Sequence, residues 1–218
     1  MKKGCLFDLD GTLVNSLADL AISVNKVLQI HHLPTYELSE YNQFVGNGVK
    51  KLMERALGQD HIDMLDECLE EFHKVYEEQC LDQTEPYPGI YELIQLLRQS
   101  GVQLGVVTNK PHYLAVRIVE HCFPGCFQSI IGQQTIYPLK PHPESTCIAL
   151  MNLKVSHQEC YFIGDSQVDI DTGYNANMET IGVTWGFRGR HELETAGATY
   201  IVENADELKE LILNDRCE

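Results

Sequence analysis

Gly4-Cys5-Leu6-Phe7-Asp8-Leu9-Asp10-Gly11-Thr12 is the stretch whose reading decides the fold. Residues 4–7 read as a short apolar strand, after which the chain passes through two acids two positions apart into a glycine turn. Side chains alternate across an extended segment, so Asp8 and Asp10 are expected on one side of it. Alone, the pair reads equally well as an acidic turn, as helix caps or as two carboxylates of a site. Its meaning depends on the surrounding sheet, because in an open α/β sheet the carboxyl ends of the strands line the ligand crevice.

The rest of the chain predicts such a sheet. Short β-rich runs at Val102–Thr108, Ser129–Ile131, Tyr161–Gly164, Thr180–Val183 and Thr199–Val202 read as strands. Helical spacing fills the intervals, with Ile90, Leu93, Ile94 and Leu97 before Gly101, and Ala205, Leu208, Leu211 and Ile212 near the C-terminus. Strands alternating with helices imply an α/β fold, a mostly parallel sheet with helices on both faces.

From Ser16 to about Pro86 the alternation stops, and successive helical patterns follow over a stretch too long for a loop. Leu17, Leu20, Ala21, Val24 and Leu28 form one apolar stripe with Ser16 as its expected N-cap; Val49, Leu52, Met53 and Ala56 form a second. Ile62, Leu65, Leu69, Phe72 and Tyr76 form a third. The economical reading is a helical domain at 16–86, closed off by the turn-forming Tyr87-Pro88-Gly89 and inserted into an α/β core made of 1–15 and 87–218.

Composition narrows the function. The 218 residues include 16 Lys and Arg against 32 Asp and Glu, a formal net charge of −16. Nucleic acid and anionic membranes bind through clustered cations, so neither is an expected partner, and any anionic ligand must meet local positive charge. No apolar run approaches the roughly 20 residues that span a bilayer. Asp8 and Asp10 interrupt the N-terminal apolar stretch too early for a signal-peptide core, so a cytoplasmic protein is expected. The eight cysteines are therefore expected to be reduced, and His121, Cys122 and Cys126, which lack a second ligand pair at zinc-like spacing, read as packed thiols.

Three more strand ends carry polar groups. Val106-Val107 leads into Thr108 and Asn109; Leu139 leads to Lys140 in Lys140-Pro141-His142-Pro143; Tyr161–Gly164 leads to Asp165-Ser166, with Asp169 four residues on. A hydroxyl and an ammonium can orient and neutralise phosphate oxygens, and carboxylates supply the oxygen ligands that Mg²⁺ requires. In this order and spacing, DxDGT (Asp8–Thr12), Thr108, Lys140 and GDSxxD (Gly164–Asp169) resemble the haloacid dehalogenase superfamily over nearly the whole chain. Within it, the helical insertion, Val45-Gly46-Asn47-Gly48 and Phe187-Arg188-Gly189 resemble the phosphoglycolate phosphatase-like members.

The resemblance implies a Rossmann-like core with an α-helical cap and a Mg²⁺-dependent phosphatase acting on a small phosphorylated metabolite, as a monomer or homodimer. It implies Asp8 as nucleophile, forming an aspartyl-phosphate, and Asp10 as general acid and base. Thr12, Thr108, Asn109 and Lys140 would bind phosphate, and Asp8, Asp10, Asp165 and Asp169 would hold the metal. Lys50 and Arg55 on the cap, and Arg188 on the core, are further candidates for contacting substrate, although each reads equally as surface charge. A dehalogenase or phosphonatase is disfavoured because the resemblance places no Asp at the position of Asp10 in those classes. A sugar phosphomutase or a nucleotide or pyrophosphate phosphatase stays open. A phospho-receiver module fits poorly, since an insertion of roughly 70 residues far exceeds an ordinary connection.

Overall fold

The computed structural model describes residues 2–214, so Cys217 lies outside the described residues. β1 (Gly4–Phe7) leads to a short β2 (Val14–Asn15). The helices α1 (Leu17–Ile30), α2 (Tyr41–Phe44), α3 (Val49–Leu57) and α4 (Leu65–Gln79) then form a cap before β3 (Glu85–Pro86) brings the chain back. From there α5 (Ile90–Gln99), β4 (Gln103–Pro111), α6 (His112–Cys122), β5 (Ser129–Gln133), α7 (Glu144–Leu153), β6 (Cys160–Gly164) and α8 (Gln167–Asn175) alternate. They are followed by β7 (Glu179–Val183), α9 (Arg190–Thr195), β8 (Tyr200–Val202) and α10 (Ala205–Asn214).

The six-stranded sheet has the order β5-β4-β1-β6-β7-β8, and all its pairs are parallel. Strand order reverses at β1, the position where such sheets open a crevice at their carboxyl ends. In register, Phe7 lies opposite both Val106 and Ile163, so the residue after Phe7 emerges between the ends of β4 and β6. The period-2 alternation of the strands divides the core. Cys5, Phe7, Val106 and Ile163 join the cluster under α5, α6 and α10, whereas Leu6, Val107 and Phe162 pack with Ala149, Leu150 and Leu153 of α7. The first of these clusters runs without a break into the cap, through Leu9, Leu13, Leu20, Val24, Met53 and Phe72.

Two features differ from the sequence reading. β2 and β3 pair antiparallel, Val14 opposite Pro86 and Asn15 opposite Glu85, making a two-stranded hinge; runs of two residues carry no detectable period. Ser16 precedes α1 but makes no side-chain cap; it is buried, and its hydroxyl donates to Asp10 Oδ1 at 2.5 Å. Among the described residues no helix is long and apolar enough to cross a membrane, and no disulfide is present. Cys122 and Cys126 are buried in the core, and burial pushes the Cys122 thiol up to about 11, as suits a packed thiol.

Asp19, in the first turn of α1, ties the two arms of the hinge together. Its carboxylate is 1% exposed and accepts the N–H groups of Gln83 and Thr84 and the Thr84 hydroxyl, at 2.7–3.1 Å. Truncation would leave the two buried Thr84 donors and the part-buried Gln83 N–H without this acceptor. Asp19→Ala is expected to lower the unfolding free energy by about 2 kcal/mol or more. Urea denaturation checks this, and an unchanged midpoint would mean that the hinge does not rely on Asp19.

Candidate active site

The polar groups of the crevice gather at the carboxyl ends of the strands: Asp8, Thr108 and Asp165 end strands or follow them directly, whereas Lys140 stands in the loop between β5 and α7 and Asp169 in the first turn of α8. Asp8 follows β1 directly, its N–H donating to the Ile163 carbonyl at 2.9 Å, and Asp165 follows β6. Thr108, Asn109 and Lys110 occupy the last turns of β4, where the register with β5 shifts between Val107 and Pro111. Such irregularities re-aim side chains, and here three consecutive residues line or support one cleft. Facing them from the cap are Leu20, Val45, Gly46, Gly48, Val49 and Leu52. The space between them is about 40 Å³, room for more than one water, which needs roughly 15 Å³.

Lys140 sits at the centre of the charge distribution. Its ammonium lies 2.9 Å from Asp8 Oδ1 and 2.7 Å from Asp169 Oδ1, with the Lys side chain 2% exposed. Burial opposes a charge on Lys140, but Asp169 and Asp8 more than offset it and raise its pKa. Asn109 fixes the lysine from behind, its side chain accepting the Lys140 N–H at 2.8 Å and donating to the Lys140 carbonyl at 3.2 Å. Asp169 is held from the other side. Its Oδ2 accepts the Ser166 N–H and hydroxyl at 3.1 and 2.7 Å, a reciprocal cap on α8.

Asp165 is packed against two glycines. A Cβ on Gly11, whose φ is +87°, would fall 2.5 Å from Asp165 Oδ2, and one on Gly186 would fall at the same distance from it and 2.3 Å from the Gly11 carbonyl. Any side chain at either position would displace the carboxylate. Asp165 Oδ2 accepts the Phe187 N–H at 2.8 Å, and the Thr12 hydroxyl donates to Oδ1 at 3.4 Å. Thr12 is thus buried behind Asp165 and does not line the cleft, whereas Thr108 does.

Three carboxylates crowd one ammonium. Oxygens of Asp8, Asp165 and Asp169 lie within 4.8 Å of one another, and burial raises the pKa of Asp165 well above its ordinary value, with Asp169 and Asp8 adding to the effect. Asp8 is pushed up to about 6, mainly by burial, with Lys140 opposing and Asp169 and Asp10 adding. Asp8 Oδ1 is buried, and no aligned hydrogen-bond donor reaches it; the Lys140 contact is an ion pair by distance alone. An all-oxygen donor set and a surplus of negative charge suit a hard divalent cation.

Asp10 faces the cleft across from this cluster. Lys110 Nζ lies 3.0 Å from both its carboxylate oxygens and donates to the Tyr76 hydroxyl at 2.6 Å. Lys110 is absent from the sequence-predicted site; its place directly after Thr108-Asn109 was the available signal. Burial opposes its charge, and Asp10 and Tyr76 outweigh burial, so its pKa is raised.

The structure places the cap candidates away from the cleft. Lys50 is exposed and borders a separate groove with Leu69, His73 and Tyr113. Arg55 donates to the carbonyls of Phe44 and Val45 and to Asn47 Oδ1, and Arg188 donates to the carbonyls of Asn42 and Val45. Both arginines therefore hold the 42–47 loop whose end lines the cleft. Arg190 pairs with Glu194 and Glu203 at the surface.

Residues 5–183 match the family model described as haloacid dehalogenase-like hydrolase. The chain is 34% identical over 215 residues to a phosphoglycolate phosphatase of Colwellia psychrerythraea, covering 95% of each. A solved structure from Lactobacillus delbrueckii subsp. bulgaricus superposes with a TM-score of 0.91 at 34% identity, over 97% of this chain and 99% of that one. Another, described as a predicted phosphoglycolate phosphatase from Haemophilus somnus, gives 0.88 at 29% identity, over 96% and 97%.

The raised Asp8 pKa fixes the sign of a stability effect. Its ordinary value is 3.8 and its folded value about 6, so folding favours the protonated acid: the associated stability is present below pH 3.8 and lost as pH rises through 6. Above pH 7 the buried charge on Asp8 is a net cost to folding. In EDTA at pH 8, Asp8→Asn is therefore expected to melt at a higher temperature than wild type, with the gain vanishing below pH 4. Thermal melts across this range decide it, and equal melting at pH 8 would refute it.

Proposed function

The chain belongs to the haloacid dehalogenase-like hydrolases and is a phosphoric monoester hydrolase, and from that premise we propose a Mg²⁺-dependent phosphatase that cleaves a small phosphate monoester, 2-phosphoglycolate foremost, through an aspartyl-phosphate on Asp8. The observation that carries this reading is the convergence of Asp8, Lys140, Asp165 and Asp169 at one end of the sheet, with Asp10 across the cleft. A carboxylate at Asp8 attacks phosphorus while the bond to the ester oxygen breaks, and Asp10 gives its proton to the departing alkoxide. A water then attacks the acyl phosphate, Asp10 takes its proton, and inorganic phosphate leaves Asp8 as it began.

Lys140 supports the first step by offsetting repulsion between Asp8 and an anionic substrate. Thr108 Oγ1 accepts the Lys110 N–H at 3.3 Å, which leaves its own proton for a phosphoryl oxygen. Asn109 acts by clamping Lys140, and Thr12 by steadying Asp165. Mg²⁺ held by the Asp8 and Asp165 carboxylates and the Asp10 backbone carbonyl, with Asp169 as further ligand or support, would supply positive charge to the transferring phosphoryl group. The cap excludes water during transfer and must open for release.

Phosphate release from a panel of esters, 2-phosphoglycolate among them, tests this with Mg²⁺ or EDTA. Turnover is expected with Mg²⁺, highest on 2-phosphoglycolate, and at background for Asp8→Asn or in EDTA. Stoichiometric phosphorylation of Asp8 without release of phosphate would overturn the phosphatase reading in favour of a mutase or a phospho-signalling role.

A further inference from the structure

Asp10 is supported from three parts of the chain at once. The hinge contributes the Ser16 hydroxyl at 2.5 Å, and the sheet contributes the Lys110 ammonium at 3.0 Å to both oxygens. The third contribution is indirect: Tyr76 of α4 accepts from Lys110 at 2.6 Å. Tyr76 is fully buried and stacked on Phe72, with ring centroids 5.2 Å apart and planes 13° apart, so its hydroxyl is a fixed acceptor belonging to the cap. The Lys110 side chain is 2% exposed and also lines the cleft.

A lysine ammonium sits on a flexible four-carbon stem and takes whichever acceptors surround it. In a cleft built for phosphate, an ammonium bonded to Asp10 alone would be drawn toward the substrate's oxygens. The Tyr76 hydroxyl, a second acceptor at 2.6 Å, restrains it. We propose that Lys110 and Tyr76 are positioning residues for the proton transfer: the cap, through Tyr76, holds the Lys110 ammonium where it aims the Asp10 carboxyl at the leaving-group oxygen. The inference rests on the reading of Asp10 as the proton donor. Its consequence is that seating the cap completes the acid as well as excluding water.

Leaving-group dependence separates this role from a structural one. The quantity kcat/KM reports steps up to transfer onto Asp8, and only a poor leaving group needs the proton in that transfer. An alkyl ester such as 2-phosphoglycolate departs as a basic alkoxide, whereas p-nitrophenyl phosphate departs as a stabilised phenolate. Wild type, Tyr76→Phe, Lys110→Met and the double variant are compared on both esters, with circular dichroism to confirm folding. Tyr76→Phe keeps the ring and its stack, so it tests the idea even if Lys110→Met folds poorly. The alkyl-to-aryl ratio of kcat/KM is expected to fall about tenfold in Tyr76→Phe, a partial loss, and about a hundredfold in Lys110→Met, the lower end of what general acid catalysis contributes. The double variant should be no worse than Lys110→Met, because Tyr76 acts through the lysine. An equal loss on both esters would overturn the inference and leave the phosphatase reading intact. A wild type that hydrolyses neither ester would overturn both.

Discussion

The ammonium of Lys140, shared between Asp8 and Asp169, is the interaction on which the crevice depends. Parallel strands ending side by side bring Asp8 and Asp165 together, and the first turn of α8 adds Asp169. Three carboxylates gathered in a buried site repel one another, and an isolated buried charge costs far more than an exposed one. One cation lowers that cost without cancelling it. The remaining surplus is visible in the raised pKa of Asp8 and Asp165, and such a surplus is what makes a site receptive to a divalent cation and a phosphoryl group.

Much of the surrounding structure serves to keep that arrangement from relaxing. Asn109 grips the backbone of Lys140, Ser166 occupies the second oxygen of Asp169, and Gly11 and Gly186 close on Asp165 so tightly that no side chain fits at either position. They hold a strained set of charges in one geometry, where water would otherwise separate them.

How much of this was legible in the sequence follows from the range of each interaction. The strands at 4–7, 160–164 and 179–183 announce themselves through local apolar runs, and Asp8, Asp10 and Asp165 stand just past strand ends where a linear reading can find them; Lys140, read as following a strand, lies in the loop between β5 and α7. Lys110 was passed over because its partners are distant in sequence, Asp10 by 100 residues and Tyr76 by 34. Tyr76 read as one more apolar position on a helix stripe, which it also is. Arg55 and Arg188 read either as substrate contacts or as surface charge, because nothing local reveals that both donate to carbonyls of the 42–47 segment. Ser16 sits where an N-cap is expected, and only the fold turns its hydroxyl to Asp10.

The two-stranded hinge has a different kind of consequence. Because Val14 pairs with Pro86 and Asn15 with Glu85, the chain leaves the sheet domain and re-enters it at adjacent points. Seen from the sheet domain, the 70 or so residues between are a long detour with almost no end-to-end span, and loop closure grows only slowly more costly with length. Grafting a different helical module at this junction would therefore leave the sheet register undisturbed. The shared apolar cluster sets the condition on such an exchange: the incoming module must supply an apolar face to the cluster that holds Leu9, Leu13 and Val14, as the cap supplies Leu20, Val24 and Met53 here. The architecture thus separates what can be replaced, the chemistry of the lid's inner face, from what must be kept, its greasy underside.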